Sequence, residues 1–460
     1  MINRRHFLRT TCASLGVGAG FATNLAALNA FAADTDDYKA LVCVFLFGAM
    51  DSHDMVIPYD QSSYNQFETI REPVLAGYDL VQSRRRSQLL QLAGDVGGRQ
   101  FAFPPEYAQL HQLYQQGDLA IVGNIGPMIE PVNKQTYDSG AARRPAKLFS
   151  HNDQQSTWMA SRPEGATTGW GGRFADIMQA AQANTQAAFT AMSVSGNSVF
   201  LTGNDVQPFV VSPSGAATVN GLNQNFTLGS RDFNDIYQEV LRDTGGARSN
   251  LFQRDVVSII NASLNNNALL EEQLALPGDP MTSFPPGRLG SQLRMVARSI
   301  ARRNTLGMKR QVFFVSTGGF DTHSAQATDL PVLQADIAAS VRAFHDSMVE
   351  MGIENSVTTF TASDFGRTLG VNGDGTDHGW GSHHIVVGGA VNGGQIHGDI
   401  PPPELGHNQD AGRGRLIPQV SVDQYAAALG SWFGLTNGEL NEAIPGLTNF
   451  DETALSGLFA

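Results

Sequence analysis

Cysteine is nearly missing from this sequence, which has two in 460 residues, Cys12 and Cys43. Cys12 lies in a leader-like stretch, so Cys43 stands alone. One thiol closes no intramolecular disulfide, and the fold must rest on packing. Cys43 sits inside an apolar run and reads as a buried, inert thiol. Basic residues are also scarce. There are 30 Lys and Arg against 43 Asp and Glu, for a formal net charge of −13. That balance excludes nucleic acid and anionic membrane as natural partners. Beyond residue 33 no apolar run approaches the ~18 residues of a membrane span. No internal repeat or long low-complexity tract occurs, which excludes solenoids and arrays.

The first 33 residues are unlike the rest. Arg4-Arg5 stands just ahead of Phe7-Leu8, and no acidic residue precedes Asp34. A weakly apolar run follows, rich in Ala and Gly and interrupted by Asn24 and Asn29. Ala30-Phe31-Ala32 then supplies the small-x-small pattern of a cleavage site. We expect residues 1–32 to be a twin-arginine signal peptide and the protein to work in the periplasm or outside the cell. Gly16-Val17-Gly18-Ala19-Gly20 is no dinucleotide loop, because it lacks a preceding strand and a later acidic partner. Removing 32 of the 460 residues leaves 428, and loss of three arginines takes the charge from −13 to −16. That length suits one large α/β domain, residues 33–460, with insertions.

Six apolar runs read as strands: 41–47, 119–123, 188–194, 311–316, 357–361 and 385–388. Helical patterns precede several of them, at 104–116, 290–304 and 333–351. Continuous apolar runs suit strands covered on both faces. Their alternation with amphipathic helices predicts an α/β fold with a mostly parallel central sheet flanked by helices. Residues about 200–290 are rich in Asn, Gly, Ser and Pro. They read as a polar insertion or cap with its own helix near 251–274.

Ligands of open α/β sheets bind beyond the carboxyl ends of the strands. The segments there are rich in Asp and His. Asp51, Ser52 and His53 follow the first strand. Asp321, Thr322 and His323 follow the fourth. Asp364, Phe365, Gly366 and Arg367 follow the fifth. Asp377, His378, His383 and His384 lead into the sixth. Of ten histidines outside the leader, seven fall in or near such segments: His53, His151, His323, His378, His383, His384 and His397. His with Asp suits a divalent metal such as Zn, Mn, Fe or Ca. Each segment also has a plain reading as a turn or cap, and for Asp51 the two readings weigh equally. His383 and His384 point to opposite faces of an extended strand, so one of the two at most serves a given metal.

These segments resemble a known group. Thr361-Ala362-Ser363-Asp364-Phe365-Gly366, Asp51, the Asp321/His323 pair and a His entering the last strand are similar to motifs of the alkaline phosphatase and sulfatase superfamily. A wider set looks more closely like a bacterial family within that superfamily. It comprises Ser150-His151, Gly319 to His323, Asp364 to Thr368 and Asp377 to His384. That family carries twin-arginine signals and has no assigned function. The resemblance implies an alkaline-phosphatase-like fold. The Asp and His residues at the predicted strand ends then give an expected metal set of Asp51, Asp321, His323, Asp364, Asp377, His378 and one of His383 and His384. The superfamily nucleophile stands at a helix start, where backbone amides favour an anion. Ser150 occupies such a start and is the candidate nucleophile, with Ser156 and Thr157 behind it. Its plain reading is an N-cap. Arg143, Arg144 and above all Arg367 are candidates to clamp anionic oxygens.

The sequence departs from the superfamily at three points, the first being an Asp321–His323 spacing shorter than the Asp-x-x-x-His usual in the phosphatases. Phe365 replaces a frequent metal-binding His, and no Cys-x-Pro-Ser-Arg motif is present. The expected activity is metal-dependent hydrolysis of a phosphate or sulfate ester. Its substrate would be a small anionic ester or a sulfated or phosphorylated polymer. The alternative is a non-catalytic binding or assembly protein on the same fold, holding an exported protein partner.

Overall fold

A computed structural model describes residues 33–162, 165–216, 227–244 and 250–460. The predicted leader, residues 1–32, lies outside them. Nine strands form the main sheet: β1 (Lys39–Phe47), β2 (Leu119–Gly126), β3 (Ala191–Ser193), β4 (Phe209–Val210), β5 (Arg310–Gly318), β6 (Val357–Ser363), β7 (Ser382–Val387), β8 (Ile396–Gly398) and β9 (Val420–Ser421). Their order is β8-β2-β7-β6-β1-β5-β3-β4, with β9 also paired to β2. β1 runs parallel to β5 and β6, whereas β7 is antiparallel to both β6 and β2. The protein is therefore a mixed α/β fold with a large, mostly parallel sheet, as the alternating pattern predicts.

β1 explains the layering. Alternate residues feed separate cores: Val42, Val44 and Leu46 pack on one face, and Leu41, Cys43 and Phe45 on the other. The strand needs no polar side, so its sequence is a continuous apolar run. α2 (Ala108–Gln116), α6 (Arg288–Ala301) and α7 (Gln326–Glu350) cover the first face through Leu110, Leu293 and Val341. α3 (His151–Ala160), α4 (Trp170–Ala180) and α8 (Val422–Phe433) cover the second through Trp158, Phe174 and Tyr425. Each such fully buried side chain stabilises the fold by about 1.5–3 kcal/mol. Cys43 lies in the second core, and burial pushes its thiol well above the ordinary range.

The 200–290 stretch is only partly separate from this core. β4 forms one sheet edge, and Val211, Leu270 and Leu274 join the first core. The expected helix is α5 (Leu251–Leu274), with Phe252 and Ile259 exposed. Among the described residues no helix is long and apolar enough to cross a membrane.

The reversed strand, β7, begins where the parallel strands end, so Ser382 and His383 enter at their carboxyl edge. Close backbone approach holds that edge together. Gly48, directly after β1, has φ +109°, and a Cβ there would lie 2.7 Å from the Asp321 backbone nitrogen. Only glycine lets the two loops meet so closely. A hairpin of Arg367–Asn372 with Gly375–His378 follows β6 and places Arg367 opposite His378.

The turn after β1 also carries a buried charge network. Asp54 lies 3.3 Å from Arg84 Nε and accepts from Gln334 Nε2 at 3.1 Å. Burial pushes its carboxyl up to about 6, against the pull of Arg84. The folded state therefore favours the neutral acid relative to the unfolded chain. This stability is full below pH ~4 and is lost as pH rises through ~6, a swing of at most about 3 kcal/mol. We expect unfolding midpoints to decline between pH 5 and pH 7. In Asp54→Asn the decline should be shallower. An unchanged slope in that variant would remove Asp54 as its source.

Candidate metal centre

Three imidazoles meet one carboxylate beyond the ends of β5 and β6. Asp321 follows β5, and its Oδ1 lies 3.0 Å from His323 Nε2 and 3.2 Å from His378 Nε2. His323 Nε2 and His378 Nε2 are themselves 2.9 Å apart. On the other side, His151 Nε2 is buried without a hydrogen-bond partner and lies 3.4 Å from Asp321 Oδ2. Ligand atoms of His151, Asp321 and His378 all fall within 4.8 Å of one another. Each ring turns its Nε2 toward Asp321.

The far nitrogens are held as well. His151 Nδ1 bonds Asp364 Oδ2 at 2.5 Å. His378 Nδ1 bonds the Phe149 carbonyl at 2.8 Å. His323 Nδ1 lies 3.4 Å from Asp377 Oδ1. A carboxylate or carbonyl behind each imidazole fixes its orientation and tautomer, and metal-binding histidines have this arrangement. His151, Asp321 and His378 offer two nitrogens and a carboxylate to one ion, a three-ligand set that leaves a fourth position open, and His323 stands beside them against Asp321 and His378.

Local folding puts each group in place. His151 is the first residue of α3, so it enters from the layer covering the second face. Asp364 directly follows β6 and is wholly buried. Its Oδ2 accepts from Gly48 N at 3.1 Å and Gln155 Nε2 at 3.0 Å, while its Oδ1 is buried without a partner. Asn372 Nδ2 donates to Asp377 Oδ1, and Arg413 lies 2.7 Å from Asp377 Oδ2. Phe365 packs against the rings of both His151 and His378, with centroids 4.9 and 4.8 Å away, while the two imidazoles meet edge-on at 4.4 Å.

Protonation follows from these contacts. The hydrogen bond to Asp364 raises the His151 pKa against burial, and the charges of Asp364 and Asp321 add to it. Burial lowers that of His378, with the Phe149 carbonyl opposing. Burial would raise Asp321, but Arg367 and the neighbouring histidines hold it below the usual carboxylate value.

A family described as a protein of unknown function, DUF1501, matches residues 38–414. The chain belongs to this family. Every residue of the cluster lies inside the matched span of this DUF1501 chain. No curated protein sequence matches it. Among solved structures it is similar to one titled "Crystal structure of Ps i-CgsB in complex with k-i-k-neocarrahexaose". The identity is 8%, the TM-score is 0.34, and 91% of this chain and 78% of that chain are covered.

Other residues singled out in the DUF1501 sequence lie elsewhere. Both oxygens of Asp51 are taken by Arg71, and Gln326 Nε2 donates to Oδ2 at 2.7 Å. Burial alone would raise Asp51, but Arg71 holds it below the ordinary value. His383 accepts from Asn124 N at 2.9 Å and faces the His53 side. His384 packs edge-on against Trp158 at 4.8 Å, in the second core. The two therefore point to opposite faces, as an extended strand requires.

Ser150 is the N-cap residue of α3 without a side-chain cap bond. Its hydroxyl donates instead to Asp153 Oδ2 at 2.7 Å. The Arg367 guanidinium is fully buried. It donates to Asp321 Oδ1 at 2.9 Å, to Thr376 Oγ1 at 2.8 Å, to the Gly48 carbonyl at 3.2 Å and to the Thr376 carbonyl. His151 is one of the clustered histidines, yet its sequence context alone assigns it no ligand role. The signal for it is the adjoining Ser150, which marks the same helix start.

Proposed function

We propose that the chain is a metal-dependent hydrolase of phosphate or sulfate esters, exported by the twin-arginine route and built on an alkaline-phosphatase-like fold. One observation carries this reading. The Nε2 atoms of His151, His323 and His378 converge on Asp321, and each ring is braced from behind. The proposed ligands are those four residues, with Asp364 and Asp377 as outer carboxylates. Nitrogen-rich sets suit zinc and its first-row neighbours better than calcium. A bound divalent ion supplies Lewis acidity to the ester oxygens.

The chain's own residues do the rest. Ser150 is the proposed nucleophile. It stands one residue before His151, and Asp153 orients its hydroxyl. Arg367 acts as a positioning residue, because its donors are committed to Asp321 and nearby backbone. Gln155 and Gly48 fix Asp364, which in turn fixes His151.

The test is metal analysis of the purified protein, together with turnover of aryl phosphate and aryl sulfate with and without chelator. We expect about one bound transition metal per chain and turnover that chelator abolishes. Metal-free protein without turnover would overturn the reading. A second reading is favoured by Phe365, an apolar ring packed against both His151 and His378 at a position where the superfamily often carries a metal-binding His. In it the same ion is a structural pin in a binding protein. Bound metal with no turnover of any ester would select it.

A further inference from the structure

A cavity of about 300 Å3 opens at the same sheet edge, beyond the end of β2. Its walls are apolar, formed by Met128, Ile129 and Val422, and Arg144 and Arg162 also line it. We infer that this cavity binds a ring-sized organic anion, with the two arginines holding the charged group and the apolar wall holding the ring. The ligand class is an aryl or glycosyl phosphate, sulfate or carboxylate.

Charge decides the class. Among the described residues neither arginine has a carboxylate partner. Arg144 stacks instead on Tyr137, 4.7 Å from its ring centroid. Among the described residues, then, no carboxylate pairs with either cation, in a chain of net charge −13. The single carboxylate in the cavity, Asp423, is answered within the protein. Burial raises its pKa to about 6, and the hydrogen bond from Ser161 to Oδ1 and the charge of Arg173 oppose the rise. Asp423 also stands in the first turn of α8, where the helix dipole favours a negative charge. An anion entering this cavity is therefore drawn to the arginine side and repelled by the Asp423 side. Its ring is left against Met128, Ile129 and Val422. Arginine suits this task, because its planar fork matches the oxygens of such groups.

Ser161 is a built feature of the cavity. It takes a left-handed conformation, φ +53°, where serine is uncommon, and from there its hydroxyl reaches Asp423. Gly446 completes the fit, since a Cβ there would lie 2.1 Å from Asp423 Oδ2. The cavity is also tied to the metal cluster. Thr157, in its lining, shares α3 with His151 six residues earlier, about 9 Å along the helix axis. The segment from Arg144 leads directly to Phe149, whose carbonyl holds His378.

The probe is 2-naphthalenesulfonate, titrated by calorimetry into the full protein after chelator treatment. Removing metal makes the result independent of the hydrolase reading. We expect saturable binding of one probe per chain. Arg144→Ala and Arg162→Ala should each weaken it by roughly 3- to 10-fold, from the loss of charge-assisted hydrogen bonds. Ile129→Asp, at a partly exposed wall position, should remove it. Asp423→Asn should leave the affinity unchanged or strengthen it a few-fold. Equal affinity in both arginine variants would overturn the inference, and so would equal binding of neutral 2-naphthol. Protein that carries no metal as purified and turns over no ester, yet binds the probe, would overturn the hydrolase and keep the cavity.

Discussion

Asp321→Asn is expected to abolish binding of the proposed metal, with affinity falling by more than the roughly 10–100-fold that loss of an outer-shell partner costs. The asparagine keeps the shape and removes the charge. Asp321 is the group on which three imidazoles and Arg367 converge. Without the carboxylate, those donors face a neutral amide, and nothing balances a divalent cation. Competition against a chromophoric zinc chelator would read the affinity, and mass spectrometry the content. Two companion variants sharpen the reading. Asp377→Asn weakens the brace on His323 and the pair with Arg413, leaves the Asp321 carboxylate in place, and should fall in the 10–100-fold range itself. His384→Asn lies across the sheet against Trp158 and should leave affinity unchanged. Retention of full metal content by Asp321→Asn would end the proposal.

The residues of this cluster were legible for one physical reason. Parallel strands carry their ligand-binding loops at one end, so Asp321, His323, Asp364, Asp377 and His378 could be grouped from sequence. The inner strands were legible too, because burial on both faces leaves apolar runs such as Leu41–Phe47. The edges were not. β4, β8 and β9 are two or three residues each and too short to show any period. His151 was hard to assign for another reason. It arrives from α3, in a separate layer, and only packing brings its Nε2 to Asp321. Asp51 shows the converse. Its place after β1 marked it as readily as Asp321. What the strand-end rule could not reveal is a partner twenty residues on, Arg71, reaching back from α1 (Gln61–Tyr78) to occupy both oxygens.

That pair carries the other large effect. Arg71→Ala is expected to lower the unfolding free energy at neutral pH by about 3–5 kcal/mol, the cost of breaking a buried ion pair from one side. Asp51 is fully buried and Arg71 is 1% exposed, so water cannot replace the lost guanidinium. Gln326 Nε2 and the His53 amide remain, but they are neutral donors. Asp51 then sits in a site that favours its protonated form, and its folded pKa rises above the unfolded value. The sign follows. The variant's stability is greatest below pH ~4 and declines as pH rises. The double variant Asp51→Asn with Arg71→Met should recover part of the loss and lose this added pH dependence, because no buried charge is left unpaired. Denaturant titration at pH 5 and pH 8 measures both effects. The same proteins also decide what Asp51 is for. If Asp51 serves only the fold, the double variant binds metal as tightly as the parent. A drop in metal affinity that outlasts the recovered stability would instead make Asp51 a ligand that Arg71 holds in reserve.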